Sequence, residues 1–179
     1  ESQDGKMLAF DDARVIANRR LAPDYNVLSL EAPQIAAATQ PGQFVMVKPD
    51  RGIDPLLRRP FSVFEILRDG GRPVGLSILS KRVGVTTSRI FDADQGDALQ
   101  WLGPLGRPST LPDAPAEVWM VAGGVGLAPF WTVADTLSAR AVPMTLFYGG
   151  RSDGDLFYLD YFEQRRVTLV LATEDGSRG

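Results

Sequence analysis

The stretch Glu117-Val-Trp-Met-Val-Ala-Gly-Gly-Val-Gly-Leu-Ala-Pro-Phe130 decides how the second half of this 179-residue sequence folds. Glu117 to Ala122 is a compact apolar run, the pattern of a buried parallel strand. A glycine loop follows. Apolar residues then recur at Phe130, Val133, Ala134, Leu137 and Ala141, the i, i+3, i+4, i+7, i+11 spacing of a helix. Glycines between a strand and a helix permit a tight turn and let backbone N–H groups approach a pyrophosphate. The helix adds its positive N-terminal end. Pro129 suits the first helical turn, where its missing N–H costs nothing. The loop is Gly-x-Gly-x-x-Pro, not the usual Gly-x-Gly-x-x-Gly, so Gly123, Gly124 and Gly126 form either a phosphate cradle or a merely tight turn.

Downstream, Met144 to Tyr148 and Val167 to Ala172 are two more apolar strands, with a helical stretch, Leu156 to Arg166, between them. The alternation is a βαβαβ unit with a parallel sheet. A three-stranded sheet of this kind is small, and a stop at Gly179 implies that the natural domain continues.

Upstream the pattern is different. Asp12–Arg20, Asn26–Glu31, Gln43–Lys48, Arg59–Leu67, Val74–Lys81 and Ala98–Leu102 are six short strand candidates. Ala22-Pro23-Asp24, Pro41-Gly42 and Asp69-Gly70-Gly71-Arg72-Pro73 punctuate them. In 43–48, Phe44 and Met46 fall on one face and Val45 and Val47 on the other. A helix is expected at Val85–Phe91. The reading is an antiparallel barrel over residues 1–107, a proline-rich linker at Arg107–Pro115, and an α/β domain over 116–179 that is incomplete at its C-terminal end.

Composition bounds the chemistry. The net charge of −3 and pI of about 5.0 argue against a nucleic-acid partner, which needs a basic footprint. No apolar run is long enough to span a membrane. The polar start, Glu1 to Lys6, lacks the pattern of a signal peptide and an initiator Met, so the N-terminus reads as processed or as an edge. The sequence has neither Cys nor His, which removes the ordinary ligands of zinc and iron–sulfur centres and the usual Ser-His-Asp and Cys-His nucleophiles. What remains is chemistry carried by an organic cofactor.

Further segments carry candidate chemistry, each beside a plainer reading. In Arg58-Arg59-Pro60-Phe61-Ser62 an arginine fork suits a diphosphate, an aromatic suits a planar ring and a hydroxyl suits a ring nitrogen. The same residues also read as an exposed Arg pair beside a half-buried strand. Gly84-Val85-Thr86-Thr87 is an anion site at a helix start, or a simple N-cap. Gly103–Gly106 and Gly149-Gly150-Arg151 are turns first and ligand contacts second. Asp92, Asp94 and Asp97 read as a solvated loop, and the three Trp residues as core or interface.

In order along the chain, five segments resemble the ferredoxin-NADP reductase superfamily, and within it most resemble the electron-transfer subunits of type B dihydroorotate dehydrogenases. They are Pro-Gly-Gln-Phe-Val-Met-Val (41–47), Pro-Leu-Leu-Arg-Arg-Pro-Phe-Ser-Val (55–63), Gly-Asp-x-Leu (96–99) with Gly-Pro-Leu-Gly (103–106), Gly-Gly-Val-Gly-Leu-Ala-Pro (123–129) and Thr-Glu-Asp-Gly-Ser (173–177). The resemblance runs from about Ala13 to Gly179. It implies a six-stranded antiparallel Greek-key flavin-binding barrel followed by a truncated, Rossmann-like parallel-sheet nucleotide domain.

It implies FAD and NAD as cofactors, a cytoplasmic location, and a partner redox subunit such as the dihydroorotate dehydrogenase catalytic chain. Arg59 would hold the FAD pyrophosphate, with Pro60 in the same motif. Phe61 would lie against the isoalloxazine, and Ser62, the candidate catalytic residue, would reach flavin N5. Ile78, Leu79, Ser80 and Lys81 would line the flavin with backbone groups. Gly84, Thr86 and Thr87 would meet phosphate, and Gly123, Gly124 and Gly126 the nicotinamide dinucleotide. Glu174 and Asp175 would favour NAD over NADP by repelling a ribose 2′-phosphate, with Arg151 arguing the other way.

Two departures stand out: Thr86 occupies a position normally Gly in the subfamily, and the subfamily's C-terminal cysteine cluster for a [2Fe–2S] centre is absent. Hydrogenase and ferredoxin:NAD transhydrogenase subunits share these motifs. A non-catalytic flavin-binding fragment is the reading from a different class.

Overall fold

The computed structural model describes residues 9–50, 52, 55–114 and 116–179; the polar start and residues 51, 53, 54 and 115 lie outside them. The first half forms β1 (Ala9–Ala22), β2 (Tyr25–Glu31), β3 (Phe44–Lys48), β4 (Arg59–Ser62), β5 (Glu65–Asp69), β6 (Arg72–Lys81) and β7 (Ala98–Leu105). The sheet order is β4-β3-β7-β1-β2-β6-β5, with every pair antiparallel. The β1–β2 hairpin thus lies between β6 and β7, a Greek-key arrangement.

The outermost ladders, β4 and β5, are one stretch of chain. Only Val63 and Phe64 separate them. The Val63 N–H donates to the Gln43 carbonyl beside β3 (3.1 Å), and the Phe64 N–H donates to the Ser77 carbonyl of β6 (2.9 Å). The expected strand 59–67 is therefore a single strand bent at its middle, pairing one side of the sheet before the bend and the other side after it. Seven ladder segments make a six-stranded barrel with no free edge at this seam.

Alternation fills the barrel. Val45 and Val47 point inward, fully buried, with Leu28, Leu30, Leu76, Ile78, Leu99 and Trp101. Gly75 permits the close approach of β6 to β2: a Cβ there would lie 2.1 Å from the Leu30 carbonyl oxygen. A six-residue helix, α1 (Pro33–Ala38), follows β2 and buries Ile35 and Ala36 in the barrel core. Sequence periodicity cannot reveal so short an element. Helix α2 (Val85–Asp92) follows β6. Because β2 and β6 run antiparallel, the two helices sit at opposite ends of the barrel.

The second half forms β8 (Val118–Gly123), α3 (Phe130–Ala139), β9 (Met144–Gly150), α4 (Leu159–Gln164) and β10 (Val167–Thr173). The sheet is parallel, in the order β10-β9-β8. Leu127, Val133, Ala134 and Leu137 pack with Met120, Leu146, Phe162 and Val167 on one face. The other face is open, with Trp119 68% and Val121 75% exposed. The apolar run 117–122 is thus buried on one side only. The link from Arg107 to β8 has no helix or strand among its described residues, and it is tied down: Ser109 N–H donates to the Pro41 carbonyl (2.9 Å), and Arg140 holds the Leu111 carbonyl (3.0 Å) and Asp113 (3.3 Å).

The halves share a core. Phe64, at the bend, packs its ring 4.5 Å from Trp131 of α3 and 5.0 Å from Tyr158, and Val27 and Leu79 join the same cluster. Arg19 of β1 donates to the Tyr158 hydroxyl across the junction. No helix among the described residues is long and apolar enough to cross a membrane.

A polar relay anchors α2. Asn26 donates through Nδ2 to Asn18 Oδ1 (2.7 Å), and Asn18 Nδ2 fans out to the carbonyls of Ile90 (3.1 Å), Phe91 (3.0 Å) and Ala93 (2.8 Å). These carbonyls end the helix and have no intrahelical donor. Asn18→Ala is expected to lower stability by about 1–3 kcal/mol, the cost of leaving such groups unmet. Asn18→Asp, equal in size, should be at least as damaging, because carboxylate oxygens would face carbonyl oxygens. Urea denaturation of both variants checks this. A fully stable Asn18→Asp protein would show that the relay does not anchor the helix.

Candidate functional site

The N-terminus of α2 opens on a groove of about 750 Å³, lined by Pro55, Leu56, Leu57, Arg59, Pro60, Phe61 and residues 83–87. Strand β4 supplies one wall through its pairing with β3, where Arg59 lies opposite Val47 and Phe61 opposite Val45. The two arginines of the motif diverge. Arg58 is half-buried and donates to Gln100 of β7 (3.3 Å), whereas Arg59 is exposed at the groove. Phe61 both packs against the barrel core and lines the groove.

On the opposite wall Thr87 organises the loop. Its hydroxyl accepts from the N–H groups of Val83 (2.9 Å) and Gly84 (3.0 Å) and donates to the Gly84 carbonyl (3.0 Å). One donor and two acceptor sites are all a hydroxyl has. Thr87 therefore offers an anion its backbone N–H, as Val85 and Thr86 do, since first-turn amides have no intrahelical acceptor. Thr86 is buried. Leu56 (69% exposed) and Val83 (77% exposed), with Leu57 and Val85, form an apolar rim that no sequence motif marks. A cation, free helix amides and an apolar shelf suit an extended ligand with a diphosphate and flat aromatic ends, which is what FAD requires.

A second pocket, about 490 Å³, lies where the halves meet. Tyr25 and Lys81 come from the barrel. Gly123, Gly124, Gly149, Gly150, Arg151, Ala172, Thr173 and Glu174 come from the carboxyl ends of the three parallel strands. That end of such a sheet is where open α/β folds bind ligands. After β8 the chain forms a single 3₁₀ turn, Gly124–Leu127, and Gly124 takes φ +52°, a conformation that favours glycine. Tyr148, buried at the centre of the sheet, backs this loop. Its hydroxyl lies 3.4 Å from the Gly124 carbonyl and 3.2 Å from that of Asp155, and it accepts from Phe157 N–H (3.4 Å). Burial pushes the Tyr148 phenol up to about 12, so it remains a neutral strut at physiological pH.

The cations around this pocket are paired. Lys81 Nζ donates to the Tyr25 hydroxyl (3.0 Å) and lies 3.6 Å from Asp24. That hydrogen bond, ahead of the Asp24 charge, holds the Lys81 ammonium above its ordinary pKa. Arg151 lies 3.6 Å from Asp24 and 3.4 Å from Asp155, and its pKa too is raised, chiefly by Asp155. Glu174 lines the pocket and donates its N–H to the Gly150 carbonyl (3.1 Å). Asp175 is instead turned into its own loop, accepting from the Ser177 hydroxyl (2.6 Å) and N–H (3.0 Å), which hold its carboxyl below the usual range.

The structure thus divides the sequence candidates. Arg59, Pro60, Phe61, Gly84, Thr86 and Thr87 converge on the groove. Gly123, Gly124, Arg151 and Glu174 converge on the pocket, with Lys81 joining them. Ser62, half-buried at the end of β4 opposite Phe44, lines neither space, and neither do Gly126, Asp175 or the buried Ile78, Leu79 and Ser80. Nothing local in the sequence marks Tyr25, Asp24 or Tyr148 as site residues. An iron–sulfur cluster does not fit the chain: the sequence lacks Cys and His, and no group of candidate metal ligands occurs among the described residues.

Comparison with known proteins agrees with this arrangement. A family model described as an oxidoreductase NAD-binding domain matches residues 120–170. The electron transfer subunit of dihydroorotate dehydrogenase B (NAD(+)) from Desulforamulus reducens is 36% identical over 168 residues, covering 94% of this chain and 63% of that protein. The Geobacillus kaustophilus counterpart is 34% identical over 97% of this chain and 66% of its own length. The chain therefore spans a little under two thirds of these curated relatives. Among solved structures, a NADH-dependent reduced ferredoxin-NADP oxidoreductase superposes with a TM-score of 0.79 at 26% identity, over 93% of this chain and 58% of that one. Phthalate dioxygenase reductase shares the fold, with a TM-score of 0.71 at 21% identity over 94% of this chain and 53% of that one. By sequence across nearly its whole length the chain is homologous to the electron-transfer subunits of dihydroorotate dehydrogenase B, and it has the fold of the ferredoxin-NADP oxidoreductase on which it superposes.

Proposed function

We propose that this chain is the flavin- and NAD-binding part of an electron-transfer oxidoreductase subunit, working in the cytoplasm between NAD(H) and a partner redox protein of the dihydroorotate dehydrogenase kind. The observation that carries this reading is the pair of sites: a groove suited to FAD on the barrel and a glycine-lined pocket at the end of the parallel sheet, where the halves meet. A bound flavin exchanges a hydride with nicotinamide and single electrons with a partner redox centre. The protein's own groups bind and orient. Arg59 and the first-turn amides of α2 neutralise the FAD diphosphate. Phe61 supports the flat ring; Ser62 follows it at the end of β4, outside the groove, and reaches N5 if the isoalloxazine extends past Phe61. Ile78, Leu79 and Ser80 back the sites from within β6 without lining either space, and Lys81 lines the pocket.

Gly123 and Gly124 give the dinucleotide close access to backbone N–H groups, and Gly126 belongs to the same turn without lining the pocket. Glu174 accepts from the free ribose hydroxyls of NAD and repels a 2′-phosphate. Asp175 supports that role through the loop it caps.

FAD uptake tests the groove. The purified chain is expected to bind one FAD, and Arg59→Ala to weaken it by about 1.5–3 kcal/mol, the scale of a charge-assisted contact. Calorimetry on both proteins measures this. No FAD uptake, or an affinity indifferent to Arg59, would remove the groove assignment. Anaerobic titration of the FAD-loaded protein with NADH should bleach the flavin absorbance. A flavin that binds but stays oxidised under excess NADH would contradict the electron-transfer reading while leaving the groove intact.

A further inference from the structure

Read from the sequence, Arg151 is the one residue near the nucleotide pocket that argues for a phosphorylated ribose. The structure changes its meaning. Its Nε faces Asp155 Oδ2 (3.4 Å) and an Nη faces Asp24 Oδ2 (3.6 Å). A phosphate is gripped by paired guanidinium donors, and here two of those donors already face carboxylates. Asp24 belongs to the other half of the molecule, in the turn between β1 and β2, where it also faces Lys81 at 3.6 Å. Arg178, beside the same strand ends, lies 3.4 Å from Asp153. The backbone of Arg151 is itself bound into the turn after β10: its carbonyl accepts from Asp175 N–H at 3.1 Å.

We infer that Asp24 is a positioning residue for nucleotide choice: with Asp155 it holds Arg151 out of reach of a ribose 2′-phosphate, so that the barrel half sets the selectivity of the α/β half. The inference rests on the proposed binding of NAD at this pocket. With Asp24, Asp155 and Glu174 set against Lys81 and Arg151, the carboxylates around the pocket outnumber the cations, which suits a free ribose better than a phosphorylated one. Removing Asp24 withdraws one carboxylate and frees one donor of Arg151 together with the Lys81 ammonium it faces, without substituting a residue that lines the pocket.

The test is the ratio of dissociation constants for NAD⁺ and NADP⁺, measured by calorimetry on the FAD-loaded chain, for wild type, Asp24→Asn, Asp155→Asn and the double variant Asp24→Asn/Arg151→Ala. Wild type should prefer NAD⁺. Asp24→Asn should shift the ratio toward NADP⁺ on the order of tenfold, the effect of one charge-assisted contact, and the double variant should lose that gain. Asp155 is nearly buried, so Asp24→Asn, with its partly exposed side chain, carries the test if Asp155→Asn misfolds. Tight NAD⁺ binding with a ratio unmoved by Asp24→Asn, or a gain that survives loss of Arg151, overturns the inference alone. Failure of every variant to bind either nucleotide overturns the pocket assignment and the inference with it.

Discussion

An antiparallel sheet left open presents two unpaired edges, and here one strand supplies both of the outermost ladders. Arg59 to Ser62 pair with β3, Glu65 to Asp69 pair with β6, and the bend at Val63 and Phe64 hands the backbone hydrogen bonds from one side to the other. The rest of the architecture hangs on this closure. Before the bend the strand delivers Arg59 and Phe61 to the groove. At the bend it delivers Phe64 to the aromatic cluster with Trp131 and Tyr158. One short segment thus fixes a ligand wall, seals the barrel core and joins the two halves.

The groove lies on the barrel and the pocket where the two halves meet, and the physics of each is complementary to the other. The groove is built from a lone exposed arginine and helix amides beside apolar side chains, a surface that attracts a diphosphate with flat ends. The pocket is built from glycines and from charges that are already paired, a surface that admits backbone contact and offers few free cations. Tyr25 and Lys81 reach into the pocket from the end of the barrel where α2 begins. The same β2–β6 ladder that carries them leads into the helix whose amides face the groove. Asn18 and Asn26 hold the far end of that helix, so the aim of its N-terminus depends on a relay buried in the barrel.

Much of this was legible in the sequence, for physical reasons. The alternation of Phe44 to Val47 and the shift to compact apolar runs after Glu117 are direct consequences of strand and parallel-sheet geometry, so both sheets could be read without a structure. The glycine loop before Phe130 announced the strand–turn–helix that lines the pocket. Other features have no local signature. Helix α1 spans six residues, too few for a period to show. The bend at Val63 is invisible because both arms are equally strand-like. Arg58 and Arg59 are identical in type, and only their places beside β7 and the groove separate a structural arginine from a groove-facing one. Asp24 reads as an ordinary turn residue, since its partner Arg151 lies far along the chain in the other half. Glu174 and Asp175 look equivalent, but a hydrogen bond to Ser177 commits one of them to its own loop.

The central claim is that two ligands occupy two distinct sites flanking one barrel closure. A crystal structure of the chain grown with FAD and NAD⁺ tests it most directly. The account predicts the FAD diphosphate between Arg59 and the amides of Val85 to Thr87, with separate density for the second dinucleotide against Gly123, Gly124 and Glu174. Flavin density lodged at the glycine loop, or a diphosphate bound away from both Arg59 and the start of α2, would contradict it.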